Sequence, residues 1–176
     1  AATNWDTATT QLETSGFCYF PLQVLCPPLH YMIDLRRILG LRSPVHTLAR
    51  LLNPADAPAV MQGIFHPGYR PVHQLAAQAL GFRNVAVIKG EAGETERNPD
   101  SECLVQSVVE GELHDEVWPA LFAQRHLKEA DMQLEDWRAV WRGQKSHEYG
   151  EAAITGTLAI ALRLLKRADS REAAEA

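Results

Sequence analysis

The chain has 176 residues, 46% of them hydrophobic and 22% charged, with a net charge of −5 and a pI near 5.8. Such a chain suits one soluble globular domain. The acidic balance excludes a wholly basic nucleic-acid module of the kind that binds by counterion release alone. No apolar run nears the roughly 18 residues of a membrane span, and residues 1–16 carry no basic-then-apolar leader pattern. Cys18, Cys26 and Cys103 are odd in number and without CxxC spacing, so they read as free thiols in a reducing cytoplasm.

Taken in order, Gly16 to Leu22 is aromatic-rich and bounded by Gly and Pro, predicting a short buried strand. Pro27-Pro28 suits a helix start. Leu29, Met32, Ile33 and Ile38 recur at helical spacing toward a stop at Gly40. Ser43-Pro44 opens a second helix over Val45 to Leu52, which Asn53-Pro54 closes. Val60 to Phe65 predicts a strand, Pro71 to Leu80 an amphipathic helix ended by Gly81, and Val85 to Ile88 a second strand beside the first. Cys103 to Val109 predicts a third. Gly111 to Arg142 reads as a peripheral strand-and-helix excursion, and Tyr149 to Lys166 as one long helix with small sides for close packing. The closing EAAEA has no C-cap signal, as in a helix cut mid-course. Alternating strands and helices imply an α/β fold with a mostly parallel sheet flanked by helices.

Two stretches carry candidate chemistry. Residues 36–50 hold Arg36, Arg37, Arg42, His46 and Arg50 without an Asp or Glu; three readings stand, a solvated face, an anionic-ligand site or a phosphate-backbone contact. Residues 87–99, VIKGEAGETERNP, follow a strand end, where open α/β sheets bind ligands. There Gly90 and Gly93 allow a tight backbone, and Glu91, Glu94 and Glu96 offer oxygen ligands to a hard cation such as Mg²⁺; an exposed acidic turn is the alternative. The seven histidines show no HExxH or i, i+4 pair that would mark zinc. His66-Pro67-Gly68-Tyr69 reads as a turn with a solvent-facing histidine, or one facing the ligand crevice.

Arg36-Arg37-Ile38-Leu39-Gly40-Leu41-Arg42-Ser43, Asn53-Pro54 and Lys89 to Glu96 together resemble the C-terminal half of the anthranilate phosphoribosyltransferase (glycosyltransferase family 3) family. Val45 to Pro54, KGEAGETE and the stretch EYGEAAITGTLAIALRLL resemble its nucleic-acid-binding branch. The resemblance implies a phosphoribosyltransferase-type catalytic domain, with 1–176 as a single C-terminal α/β fragment of it, cytoplasmic and homodimeric at full length. It implies that Arg36, with Arg42, contacts a carboxylate substrate, and that the partner is phosphoribosyl pyrophosphate with Mg²⁺. In the family's Asp-Glu metal pair this chain has Thr95-Glu96, leaving Glu96 as the metal carboxylate. The family's Gly-Thr-Gly-Gly-Asp loop is absent from these 176 residues, so the chain alone is expected to lack transferase activity. The nucleic-acid branch implies instead non-specific DNA or RNA binding through Arg36, Arg37, Arg42, Arg50 and Lys89. The two functions implied are therefore non-specific nucleic-acid binding and phosphoribosyl transfer to an aromatic amine such as anthranilate.

Overall fold

The computed structural model describes residues 1–126 and 133–176. Residues 127–132, inside the excursion expected over Gly111 to Arg142, lie outside the described residues. Two compact units make up the structure, Ala1–Asp56 and Ala57–Ala176.

The first unit is helical. Helix α1 (Trp5–Ser15) starts at Asn4, whose side chain accepts from Thr7 N at 2.8 Å and satisfies a first-turn donor. Gly16 ends it in the left-handed conformation, φ 68°. The strand expected over Gly16 to Leu22 does not form. Gly16 belongs to the helix cap, Pro21 has no N–H for a ladder, and Leu22 already opens α2 (Leu22–Leu25). Aromatic composition favours a strand only where another strand can pair with it; here Tyr19 O accepts from Ala2 N and Phe20 packs edge-on against Trp5.

Helix α3 (Pro27–Asp34) begins at the Pro pair as expected. Leu35 breaks the predicted continuous helix, and α4 (Arg36–Leu39) follows, ended by Gly40 at φ 69°. Helix α5 (Val45–Leu48) passes into a 3-10 turn, Ala49–Leu51. Ser43 contributes its carbonyl to His46 N rather than a side-chain cap.

The second unit is α/β: a four-stranded sheet in the order β1-β2-β3-β4, flanked by helices. Strands β1 (Val60–Ile64) and β2 (Asn84–Lys89) pair in parallel, joined through α6 (Arg70–Ala79), so the two predicted strands are neighbours. Strands β3 (Cys103–Val109) and β4 (Glu112–Trp118) add antiparallel pairings. The mostly parallel sheet of the sequence reading is thus a mixed one. Glu110-Gly111, with φ 53° and 87°, closes a two-residue hairpin whose left-handed backbone matches strand twist. Strand alternation assumes a crossover helix after every strand, and β2 to β3 has none.

Each face of β2 feeds a different core. Ala86 and Ile88 join Val105, Trp118, Ala159, Ile160 and Leu164 beneath α8 (Glu148–Leu164). Val85 and Val87 join Ile64, Ala77 and Val108 beneath α6. A polar seam borders the α6 side: Gln74 Nε2 donates to Ser107 O at 2.8 Å and Asp115 Oδ1 at 3.0 Å, and Gln106 Nε2 donates to Asp115 Oδ2. Helix α8 is capped reciprocally, His147 Nδ1 accepting from Gly150 N and Glu151 Oε1 from His147 N. Gly150 and Gly156 on its buried side admit Trp137 of α7 (Leu134–Trp141) and Arg97 at contact distance. Ser170 caps the short closing helix α9 (Arg171–Glu175). Strand β4 exposes six of its seven residues, among them Glu112, His114, Asp115 and Glu116.

Candidate functional site at the strand ends

The loop after β2 folds back over the ends of β1 and β2. Gly90 N donates to Ile64 O at 3.0 Å. Glu94 turns inward, its carboxylate accepting from Glu91 N at 2.6 Å and Ala92 N at 2.7 Å. A Cβ on Gly63 would stand 2.2 Å from the Glu94 carbonyl, and one on Gly90 2.0 Å from it. Gly63 and Gly90 are therefore required by backbone crossing, while Gly93, at φ 93°, takes the left-handed backbone the sequence reading allowed.

This geometry bears on the hard-cation reading of Glu91, Glu94 and Glu96. Glu94 is committed to its own loop, Glu91 Oε1 accepts from Asn98 Nδ2 at 2.8 Å, and position 95 carries a neutral hydroxyl. Glu96 is exposed as a residue, while partial burial of its carboxyl and the neighbouring Glu94 carboxylate push its pKa up. Among the described residues no group of three or more His, Cys, Asp or Glu is placed to hold a metal ion. Of the three glutamates, Glu94 and Glu91 are thus engaged within the loop and Glu96 remains.

Arg97 is fully buried. Its Nη1 meets Glu175 Oε1 at 2.6 Å, its Nη2 donates to Pro119 O at 2.7 Å, and its guanidinium lies 5.0 Å from the Trp118 ring centre. Its backbone N donates to Thr157 Oγ1 on α8. The loop is therefore tethered at both ends.

Beyond Arg97, Asp100 Oδ1 and His126 Nδ1 lie 2.7 Å apart, and Asp100 Oδ2 accepts from His126 N at 2.9 Å. His126 Nε2 faces Glu148 at 3.8 Å, and its ring sits between those of Phe122 and Tyr149. The Asp100 hydrogen bond, against partial burial and helped by the charges of Asp100 and Glu148, raises the His126 pKa. Burial works to raise Asp100, but the His126 hydrogen bonds and the charges of His126 and Arg125 bring it below its usual value. Sequence reading missed this pair: its members are 26 positions apart, and neither stands in a motif.

A cavity of about 80 Å³ opens where β2 ends and β3 begins, lined by Arg70, Lys89, Glu91, Asn98, Ser101, Glu102 and Cys103. Lys89 was expected as a phosphate contact; Arg70, at the first turn of α6, was not expected at all. Burial raises the Cys103 thiol pKa, with the positive charges of Arg97 and Arg70 opposing.

The remaining predicted residues belong to the first unit. Arg36 and Arg37 lie on α4, Arg42 in the connection to α5, and Arg50 in the 3-10 turn. Arg37 pairs with Asp34 at 3.5 Å, and Arg50 Nη1 donates to His46 O at 2.9 Å. Arg36 and Arg42 are exposed and have no carboxylate partner among the described residues. His66 is exposed beside Phe65 and Tyr69, as the turn reading expects.

No protein-family profile matches the chain. Curated relatives named anthranilate phosphoribosyltransferase do. One from Xanthomonas campestris pv. campestris (strain 8004) is 33% identical over 122 residues, 66% of this chain and 35% of the relative. One from Burkholderia thailandensis is 32% identical, over 69% of this chain and 35% of the relative. One from Cupriavidus metallidurans is 30% identical, over 66% and 35%. The chain thus spans about a third of the length of the curated relatives it matches, and the similarity supports the anthranilate phosphoribosyltransferase family.

Proposed function

We propose that this chain is part of an anthranilate phosphoribosyltransferase-type protein that transfers a phosphoribosyl group from phosphoribosyl pyrophosphate to an aromatic amine. The similarity of two thirds of the chain to relatives carrying that name supports the reading most strongly. The chain's own contribution is recognition. Arg36 presents a guanidinium without an acidic neighbour in residues 36–50, suited to grip a carboxylate through two parallel hydrogen bonds. No step is assigned to Mg²⁺, because Glu94 is turned into its own loop and Thr95 is neutral. The test is pyrophosphate release by the full-length protein with phosphoribosyl pyrophosphate and anthranilate. Release that falls tenfold or more in Arg36→Ala supports the reading; no release above the uncatalysed rate overturns it.

A second reading rests on Arg36 and Arg42, which lack carboxylate partners among the described residues. Such a segment suits backbone phosphates, and supports non-specific nucleic-acid binding with Arg37, Arg50 and Lys89. Binding indifferent to sequence and steeply weakened by salt would favour it. Binding absent at low salt would remove it.

A further inference from the structure

We propose that the cavity between Lys89, Arg70 and Ser101 is a small oxyanion site that takes a phosphate group without a divalent cation. The proposal goes beyond phosphoribosyl transfer, since this pocket would hold phosphate whether or not that reaction occurs.

Three observations meet there. The first is position: Lys89 ends the parallel strand β2, and Arg70 opens α6, the connection from β1. This is the crevice at the carboxyl ends of parallel strands where α/β sheets receive ligands. The second is positive charge held in no ion pair. Among the described residues neither Arg70 nor Lys89 has a carboxylate within ion-pair distance, although Glu91 and Glu102 line the same cavity. Glu91 is instead held by Asn98, and Glu102 stands exposed. The third is an orphan donor. Arg70 Nε is buried and has no hydrogen-bond partner, and Nη1 reaches only Leu104 O at 3.5 Å. A buried guanidinium N–H without a protein acceptor remains available to an acceptor from outside the chain.

Size narrows the ligand. About 80 Å³ exceeds the ~10–15 Å³ that one water needs and falls far below the roughly 300–1,000 Å³ of a drug-sized pocket. A tetrahedral oxyanion fits that range, as inorganic phosphate or as the terminal group of a phosphate ester whose remainder lies outside. Arg70 supplies a planar fork, Lys89 a point charge, and the Ser101 hydroxyl and Asn98 amide neutral donors. Two cations then do the neutralising that Mg²⁺ performs where a carboxylate pair holds it.

The test uses the full 176-residue chain and inorganic phosphate, followed by thermal shift and ³¹P NMR against chloride at equal ionic strength, with EDTA or with Mg²⁺. Saturable phosphate binding, equal under both conditions and at least tenfold weaker in Lys89→Gln, is the expected result. Arg70→Gln alters the first turn of α6, so the exposed Lys89→Gln decides. Ribose 5-phosphate, as the ester arm, is expected to compete with phosphate; failure to compete restricts the site to the free ion. No saturable shift beyond chloride, binding that needs Mg²⁺, or an unchanged Lys89→Gln variant would each overturn the proposal. Pyrophosphate release by the full-length protein is scored separately, so either reading can fail alone.

Discussion

Replacing Gly63 with Ala tests the crossing that shapes the whole loop. The added Cβ would lie 2.2 Å from the Glu94 carbonyl carbon and oxygen and 2.5 Å from Thr95 N. Ordinary contact begins at 3.4 Å, so the loop has to retreat by more than an ångström, and the obstacle is backbone. Retreat pulls against Gly90 N to Ile64 O and the two bonds that Glu94 accepts. Charge-assisted bonds contribute about 1.5–3 kcal/mol each, and overpacking alone costs about 1–3 kcal/mol. Alanine offsets about 0.5–1 kcal/mol through backbone entropy. The net expectation is a loss of about 2–4 kcal/mol in urea unfolding, read by fluorescence and circular dichroism. Amide exchange should quicken at Glu91 and Ala92 in the same variant. Gly68→Ala, with nothing within 4 Å of its Cβ, serves as the control. Gly63→Ala within about 0.5 kcal/mol of the parent, a shift typical of inert surface changes, with unchanged exchange, would refute the reasoning.

Asp100 and His126 should couple stability to pH in both directions. The raised His126 pKa contributes stability that is full below the unfolded histidine pKa and lost as pH rises through the folded one. The lowered Asp100 pKa contributes stability that is present above the unfolded carboxylate value and lost as pH falls through the folded one. Asp100→Asn should bring the NMR-titrated His126 pKa down; an unmoved titration contradicts the pairing. Glu175→Gln should destabilise by about 3 kcal/mol, because it leaves the buried Arg97 guanidinium without a counter-charge; adding Arg97→Met should recover part of that in a double-mutant cycle, and strict additivity would deny the coupling. Thr95→Asp should create an Mg²⁺-dependent rise in Tm larger than any in the parent, and an equal response in both would refute the loop assignment. If nucleic acid binds, Arg36, Arg42 and Arg50 changed together to Ala should flatten the log affinity–log salt slope by about 0.7–0.9 per lost phosphate contact; an unaltered slope assigns those arginines to a solvated face.

Local punctuation proved the most legible part of the chain. Pro27-Pro28, Gly40 and Gly81 mark helix limits because each acts on its own backbone within a turn. The α6, β2, β3 and α8 spans were close to readable because their apolar residues face one core or two. Pairing direction was not: the parallel ladder of β1 and β2 and the antiparallel hairpin after β3 use the same β-branched residues, and only Glu110-Gly111 signals the reversal. At the site, the glutamates were visible but their direction was not, since Glu94 bonding Glu91 N depends on backbone geometry. Arg70 and Arg97 look like ordinary surface arginines in sequence; burial, orphaned donors and a partner 78 positions away distinguish them.

The exposed strand β4 has a consequence for solubility. It lies at the end of the strand order, where an open backbone edge is a template for another molecule's strand. Glu112 and Glu116 place carboxylates along it, so two copies brought edge to edge repel one another. Salt screens exposed charges that lie farther apart than about 8–10 Å, so added salt weakens that guard while leaving the backbone edge open. The chain should therefore self-associate more readily as ionic strength rises, and stay dispersed where the edge charges act at full range.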